Sequence, residues 1–302
     1  MTNIKSKKTL KLDLFVYLKA LFDLMKPRVM SLVIFTCVVG LLIAPVNVDF
    51  WNAFVSVLAV ALGSGAAGVL NMWYEADLDS VMTRTCLRPI PTGKVTKKEA
   101  LIFGILASVI SVTVLYLFSN LVATLILVTT ILFYVFIYTI WLKQKTSQNI
   151  VIGGVSGALP PVIGWAVATG NISLESIILF LIIFIWTPSH FWALSLYKME
   201  DYKNANIPML PVISGAKVTK LNIFVYALLL FPIILAPFFL NYFGIIYLLI
   251  SGTLATYYIY ICHKLFKAQE SNLEKKIAKQ VFGFSILFLF LVFASILIDS
   301  IV

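Results

Sequence analysis

Three polar side chains follow a long apolar run with a spacing that suits a metal site. Asn71, Glu75 and Asp79 are successively four residues apart, so on an α-helix they lie within an arc of about 80° on one face. Carboxylate and amide oxygens are ligands that Mg²⁺ prefers, and Mg²⁺ takes the rest of its shell from water and substrate phosphate. Arg84 and Arg88 follow closely, and guanidinium groups bind phosphate through two parallel hydrogen bonds. The segment therefore predicts a Mg²⁺-diphosphate site.

The composition predicts an all-α integral membrane protein. Of the 302 residues 61% are hydrophobic and only 12% are charged, and lipid tolerates only helices and closed barrels as spanning structures. Nine apolar stretches are long enough to cross a bilayer: 29–45, 51–70, 101–119, 121–141, 150–169, 174–197, 221–240, 243–262 and 280–300. We therefore expect one nine-span membrane domain over residues 29–302.

The basic residues predict the orientation of this domain. With nine spans, all 23 Lys and Arg fall on one side of the membrane. That side carries the N-terminal segment and four loops: 71–100, 142–149, 198–220 and 263–279. The positive-inside rule then places the N-terminus in the cytoplasm and the C-terminus outside. Membrane insertion and attraction to anionic lipid explain most of the net charge of +10, so no nucleic-acid partner is expected.

The N-terminal segment has the pattern of a helix that lies on the membrane surface. Residues 10–25 are mostly apolar with lysines and aspartates interspersed, and no small-residue cleavage site follows. This pattern is unlike a secretory signal. We expect residues 1–28 to form a cytoplasmic interfacial segment.

Arginine is used sparingly in this chain. There are 20 Lys and 3 Arg, and the arginines are Arg28, Arg84 and Arg88. Lysine suffices where only a positive charge is required. An arginine therefore indicates a group, such as a diphosphate or a carboxylate, that the planar guanidinium binds through two hydrogen bonds. A structural salt bridge is the alternative interpretation.

A second polar cluster closes the sixth predicted span, on the same side of the membrane as the first. It contains Asp201, which can face the first group of carboxylates. Pro188 is expected to kink the span. His190 lies about two turns inside it, and an ionisable residue at such a depth indicates substrate contact, with a hydrogen bond between helices as the alternative.

The loop between the fourth and fifth spans adds three residues that can reach phosphate from the same side, Lys143, Lys145 and Asn149. The glycines that follow, Gly153, Gly154 and Gly157, let helices approach closely. Small residues at helix contacts are common in membrane bundles, so packing is their expected role.

Together these motifs resemble the UbiA-type intramembrane prenyltransferases. The resemblance rests on N-x-x-x-E-x-x-x-D at 71–79, on the second acidic motif and on the nine spans. Longer motifs are similar to those of the branch that farnesylates haem, and they run from Lys26 to about Gly215: R-T-x-x-R-P at 84–89, N-I-V-I-G-G at 149–154, P-P-V-I-G-W at 160–165 and T-P-S-H-F-W at 187–192.

The resemblance implies roles for individual residues. Mg²⁺ is expected on Glu75 and Asp79, with Asp201 as the facing carboxylate and with Asn71 and Asp77 assisting. The residues expected to bind diphosphate are Arg84, Arg88, Lys143, Asn149 and Lys198. His190 and Tyr197 are expected to contact haem, the histidine as a candidate axial ligand.

Two residues depart from the family pattern. Glu75 stands where the family has Asp, which keeps the charge but lengthens the arm, so Asp77 is an alternative metal ligand. In the second motif Ala205 stands where a further carboxylate is expected, which leaves Asp201, with Glu200 beside it.

The reaction that the resemblance implies is transfer of a farnesyl group from farnesyl diphosphate to a vinyl group of haem B, with addition of water, giving haem O. The expected location is the bacterial cytoplasmic (inner) membrane, and a haem A synthase or a terminal oxidase assembly would be a partner. Two alternatives remain at this point. One is a UbiA-type enzyme that acts on a quinone or chlorophyll precursor, and the other is a membrane transporter, which should carry charges near the bilayer midplane.

Overall fold

The computed structural model describes residues 14–301, which form thirteen α-helices, one π-helical segment and no strand. The expectation of an all-α chain is confirmed. The helices up to the middle of the chain are α1 (Leu14–Leu24), α2 (Pro27–Leu42), α3 (Phe50–Tyr74), α4 (Ala76–Val81), α5 (Lys97–Phe118), α6 (Leu121–Leu132), which continues as the π-helix Phe133–Leu142, and α7 (Asn149–Ala158). The remaining helices are α8 (Pro160–Thr169), α9 (Leu174–Tyr197), α10 (Met199–Asn204), α11 (Leu210–Phe239), α12 (Ile245–Lys267) and α13 (Ser271–Ile301).

Within residues 14–301, eight helical segments are long and apolar enough to cross a membrane, and a ninth is counted if α1 and α2 form one span with a 53° bend. α2 alone coincides with the first predicted span. Each of the other predicted spans has a helical counterpart. The π-helix completes the fourth span, and α7 with α8 makes the fifth. The helices of the seventh and ninth spans, α11 and α13, begin at Leu210 and Ser271, earlier than predicted, because polar turns precede their apolar stretches. In α11 the backbone is broken at Gly215, which has the non-helical angles φ 77° and ψ 170°.

Side-chain caps fix the starts of α3 and α5. The Asp49 carboxylate accepts hydrogen bonds from the backbone N–H groups of Trp51 and Asn52 at the start of α3. At the start of α5, Thr96 and Glu99 form a reciprocal capping box. These caps satisfy backbone donors that the helix itself leaves unpaired.

Two buried clusters hold the bundle together. The larger one packs α9, α11, α12 and α13 against each other, and the second packs α3, α6 and α8. α2 crosses α8 so closely that a Cβ at Gly40 or Gly164 would overlap backbone atoms of the facing helix. This is the close helix contact that small residues permit.

The N-terminal part of the described chain packs against the end of the bundle where α3 ends and α5 begins. Ala20 and Leu24 of α1 lie in a third apolar cluster with residues at the end of α3 and the start of α5. Residues 1–13 of the predicted interfacial segment lie outside the described residues, and the membrane-surface location of the rest stays a prediction.

Candidate active site

The predicted column of polar side chains forms where α3 passes into α4. α3 ends at Tyr74 and Glu75 has φ −89° and ψ 8°, yet the backbone ladder continues. Glu75 N–H donates to the Asn71 carbonyl at 3.0 Å, and Asp79 N–H donates to the Glu75 carbonyl at 2.8 Å. Asn71, Glu75 and Asp79 are all buried. Sequence spacing therefore placed these three side chains on one face correctly, although two helices rather than one carry them.

Asp79 is held by Arg88. One guanidinium nitrogen, Nη1, donates to Oδ1 at 2.8 Å and to Oδ2 at 2.7 Å, and the aspartate side chain is only 3% exposed. The Arg88 side chain is 22% exposed. A single nitrogen makes both contacts, so the rest of the guanidinium is available for a second anion.

Glu75 is held by Lys143 in the same way. The Lys143 Nζ donates to Glu75 Oε1 at 2.5 Å across 68 residues of sequence, and the glutamate side chain is 2% exposed. The ammonium also lies 6.0 Å from the centre of the Tyr138 ring. Because both partners are largely shielded from bulk water, the attraction between the two charges is screened less than in a surface ion pair. Lys143 thus joins the loop before α7 to the end of α3, as its predicted place in the site requires.

The amide of Asn71 is fixed on both sides. Its Oδ1 accepts a 2.7 Å hydrogen bond from Lys26 Nζ, and its Nδ2 donates to Thr139 Oγ1 at 3.1 Å. Thr139 lies in the π-helix and donates to the Tyr134 carbonyl five residues back, at 2.8 Å. π-Helical turns often occur at functional sites because they shift side chains around the helix. Here the π-helix brings Thr139 beneath Asn71.

Lys26 is a site residue that sequence reasoning missed. It lies at the bend between α1 and α2, in the left-handed backbone conformation with φ 56° and ψ 56°. Its removal from water, together with the positive charge of Arg88, lowers the pKa of Lys26 to about 7. The only sequence signal was the Lys26-Pro27 pair that opens the first span, in a segment where lysines are frequent.

Asp77 lies on the other side of α4, away from the other carboxylates. Its side chain is 90% exposed and forms an ion pair with Lys97 at 2.7 Å. Two residues correspond to about 200° of helical rotation, which turns Asp77 away from Glu75 and Asp79. The predicted assistance of Asp77 in metal binding therefore has no geometric basis in this conformation.

Asp201 links the two acidic loops. The Thr83 hydroxyl, 118 residues away in sequence, donates its one hydrogen to this carboxylate, and Thr83 Oγ1 lies 2.8 Å from each carboxylate oxygen. Lys198 Nζ is 3.7 Å from Asp201, and the Arg84 guanidinium lies 5.9 Å from the ring centre of Tyr202, the next residue. The structure thus brings the Arg84 loop and the Asp201 helix together, as predicted.

Asn149 supports the Lys143 loop. Its Nδ2 donates to the carbonyls of Lys143 at 3.2 Å and of Thr146 at 2.8 Å. The side chain is fully buried, and within the described chain its Oδ1 has no hydrogen-bond partner. The amide therefore holds the turn that carries Lys143, and its unpaired oxygen marks a polar site that a water or ligand can satisfy.

His190 occupies a stack of aromatic rings in α9. Trp186 and Phe282 stack on it at centroid distances of 4.3 and 4.6 Å, and Nδ1 is 2.6 Å from Ser285 Oγ. The hydrogen bond between helices, which was the alternative interpretation, is present. Tyr197, two turns further along α9, packs edge-on against the same Phe282 at 6.0 Å. The two predicted haem contacts thus share one aromatic neighbour.

The carboxylates are not arranged as a ready-made metal cage. Within residues 14–301, no group of three His, Cys, Asp or Glu side chains converges on one point. Glu75, Asp79 and Asp201 are each bound to a different partner. The set of three metal ligands therefore stays a prediction.

The fold and the site are those of an intramembrane prenyltransferase family. The profile of the UbiA prenyltransferase family matches residues 33–291, and the chain belongs to this family. The predicted membership is confirmed.

Within the family, the chain is similar to proteins named protoheme IX farnesyltransferase. The protein of that name from Pelagibacter ubique is 59% identical over 281 residues, which cover 93% of each chain. A protein named protoheme IX farnesyltransferase 2, from Mesorhizobium japonicum, is 50% identical over 93% of this chain and 90% of its own length.

Solved structures share the fold at low sequence identity. A structure of digeranylgeranylglyceryl phosphate synthase superposes with a TM-score of 0.78 at 21% identity, covering 94% of this chain and 99% of the other. A UbiA homologue from Archaeoglobus fulgidus bound to GPP and Mg²⁺ superposes with a TM-score of 0.68 at 15% identity, covering 93% and 99%.

Proposed function

We propose that this chain transfers the farnesyl group of farnesyl diphosphate to a vinyl group of haem B, with addition of water, to give haem O and diphosphate. The observation that carries the proposal is the pair of buried carboxylates at the α3–α4 junction, Glu75 and Asp79, each held by a cation from another segment. The acceptor follows from the 59% identity to a protein named protoheme IX farnesyltransferase.

The charges around the junction suit a diphosphate. Five cations surround three carboxylates there. The cations are Lys26, Arg84, Arg88, Lys143 and Lys198, and the carboxylates are Glu75, Asp79 and Asp201. Even with Lys26 partly neutral, because its pKa is lowered to about 7, the cations outnumber the carboxylates. This surplus of positive charge attracts an anion, and partly buried positions strengthen the attraction because solvent screens them less. Arg88 and Lys143 are placed both to hold the carboxylates and to contact phosphate oxygens.

The residues also fit Mg²⁺ by the chemistry of their donor atoms. Glu75 and Asp79 offer hard carboxylate oxygens one helical turn apart, and Asp201 offers a third from α10. The fold neighbour from Archaeoglobus fulgidus binds Mg²⁺ together with GPP, which supports the same pairing in this chain. When bound, Mg²⁺ supplies Lewis-acid stabilisation of the charge that develops on the leaving diphosphate.

The protein side chains then promote loss of the leaving group. Arg84, Arg88 and Lys198 stabilise negative charge as the bond between C1 of farnesyl and the bridging oxygen breaks. Asn71 is locked by Lys26 and Thr139, so it presents a fixed dipole rather than a mobile one. The surrounding apolar helices delay attack by water on the allylic cation.

The reaction of the haem vinyl group with the farnesyl group requires no oxidant. The vinyl group of haem B supplies the electron pair for a new carbon–carbon bond to C1 of farnesyl. The carbon next to the porphyrin becomes electron-poor and is captured by water, which loses a proton to solvent or to diphosphate. His190 and Tyr197, which share Phe282, are the proposed haem contacts.

We place the enzyme in the cytoplasmic membrane of a bacterium, with its N-terminus and diphosphate site on the cytoplasmic side. The placement rests on the one-sided distribution of Lys and Arg and on the bacterial relatives. A haem A synthase or a terminal oxidase assembly is the proposed recipient of the product.

The test uses purified protein in lipid nanodiscs with Mg²⁺ and farnesyl diphosphate. The acceptor is either haem B or an aromatic acid, and products are identified by mass. We expect diphosphate release and a prenylated haem only with haem B. Prenylation of the aromatic acid without reaction of haem would instead support the quinone branch of the family. Failure to release diphosphate with either acceptor would contradict the proposed transfer.

A further inference from the structure

The His190 stack is anchored on a single turn of α13. Trp186 and His190 are four residues apart on α9, and their rings stack at 4.3 Å with an angle of 18°. Phe282 stacks on His190 at 4.6 Å and 23°. Because both faces of the imidazole are covered, only the ring edge is left for a ligand.

Ser285, on the same turn as Phe282, holds both α9 rings. Its backbone carbonyl accepts a 2.9 Å hydrogen bond from Trp186 Nε1, and its hydroxyl lies 2.6 Å from His190 Nδ1. Ser285 is completely buried, so water cannot replace either contact.

The direction of the Ser285–His190 hydrogen bond follows from the hydroxyl's other contact. Ser285 Oγ is 2.6 Å from the Phe282 carbonyl, which can only accept, and a hydroxyl has one hydrogen to donate. The hydrogen therefore points to Phe282, and the oxygen accepts from His190. This gives a neutral imidazole that carries its proton on Nδ1 and a lone pair on Nε2.

We propose that Ser285 is a positioning residue that fixes this tautomer, so that Nε2 of His190 is presented as a ligand to the iron of haem B. The proposal rests on the proposed function, because it assumes that haem B is the acceptor. Within residues 14–301 nothing donates to or accepts from Nε2. A histidine that ligates a metal generally has its other nitrogen held by such a partner.

The alternative is that the contact only ties α9 to α13. The chain contains a matched bond for comparison: Ser295, also buried on α13, donates to the Val292 carbonyl at 2.7 Å and contacts Ser251 of α12 at 2.9 Å. Ser295→Ala therefore removes an equivalent interhelical hydrogen bond without touching His190.

The first measurement needs no variant in the stack. The sequence has two histidines, so ¹⁵N labelling of histidine gives two pairs of ring signals, and His263→Gln identifies those of His190. In haem-free protein in nanodiscs we expect His190 to carry its proton on Nδ1. A proton on Nε2 would overturn the proposal.

The second measurement is a haem B titration followed by the Soret band. Ser285→Ala should weaken haem binding by about 10–100-fold, the usual effect of removing such a partner, and should alter the Soret spectrum. Ser295→Ala should change neither the haem affinity nor the Soret spectrum. Ser285→Thr, which keeps a hydroxyl, should show the Soret spectrum of the wild type. Affinity for farnesyl diphosphate should stay the same in all three variants.

The outcomes separate this proposal from the proposed function. Equal effects of Ser285→Ala and Ser295→Ala on haem affinity and on the Soret spectrum would mean that Ser285 only holds α9 against α13. An unchanged Soret spectrum in His190→Ala would also overturn the proposal, while haem O formation by that variant would leave the proposed function intact. A wild-type protein that neither binds haem nor forms haem O would contradict the proposed function itself.

Discussion

Asp79 and Asp77 provide a matched pair of carboxylates, two residues apart, in contrasting environments. Asp79 is 3% exposed and bound to Arg88, whereas Asp77 is 90% exposed and bound to Lys97. Asp79→Asn keeps the size of the side chain and removes its charge. We expect this change to abolish most turnover and Asp77→Asn to leave turnover nearly unchanged.

The magnitude follows from burial. Removing one preorganised electrostatic group from an active site typically raises the reaction barrier by about 2.7–4 kcal/mol. Since Arg88, the partner of Asp79, retains 22% exposure, water screens part of its charge, and we take the lower end. A cost of about 3 kcal/mol in the transition state corresponds to roughly a 150-fold loss of rate. The exposed Asp77 pair is worth about 0–1 kcal/mol, or at most about fivefold.

The assay is the initial rate of diphosphate release with haem B and saturating farnesyl diphosphate. Protein content in the membrane and the melting temperature are measured alongside, because a misfolded variant would also be inactive. Similar losses in Asp79→Asn and Asp77→Asn, or a loss below fivefold in Asp79→Asn, would refute the assignment of the site to the buried face.

Three further predictions follow from the geometry. Arg88→Lys loses the planar group that can bind Asp79 and phosphate together, which should weaken farnesyl diphosphate binding by about 1.5–3 kcal/mol. The Kd should therefore rise roughly 10–150-fold, while Lys97→Ala should change it by less than about fivefold. In Gly164→Ala the new methyl group would overlap the backbone of α2, so the free energy of unfolding should fall by about 1–3 kcal/mol. A methyl group at Gly157 would meet open space, so Gly157→Ala should leave the free energy of unfolding unchanged. Thermal melting of the two variants measures the difference. Chelation of divalent cations should stop turnover and added Mg²⁺ should restore it, while turnover that persists in chelator would contradict a metal-assisted step.

The helical spans could be predicted because apolar stretches of this length are a direct consequence of the bilayer. The orientation that the one-sided lysines indicate stays a prediction. The spacing of Asn71, Glu75 and Asp79 placed their side chains together because the backbone ladder continues through Glu75. Asp77 was grouped with them through adjacency in sequence, although helical rotation turns it to the opposite side.

The contacts that complete the site depend on tertiary structure. Lys26 reaches Asn71 only because α1 and α2 meet at a sharp bend, and no local pattern distinguishes it from its neighbouring lysines. Thr139 faces Asn71 because the fourth span ends in a π-helix, which hydropathy cannot reveal. The Thr83–Asp201 contact joins residues 118 positions apart and likewise requires the fold.

The most direct test of farnesyl transfer to haem B is a single turnover of purified protein in ¹⁸O-labelled water. Farnesyl diphosphate, Mg²⁺ and haem B are supplied, and the haem product is analysed by mass spectrometry together with released diphosphate. We expect one diphosphate per modified haem, and a product mass equal to haem B plus one farnesyl group and one ¹⁸O-labelled hydroxyl group. Diphosphate release that yields ¹⁸O-farnesol and leaves haem B unchanged would contradict the proposed transfer.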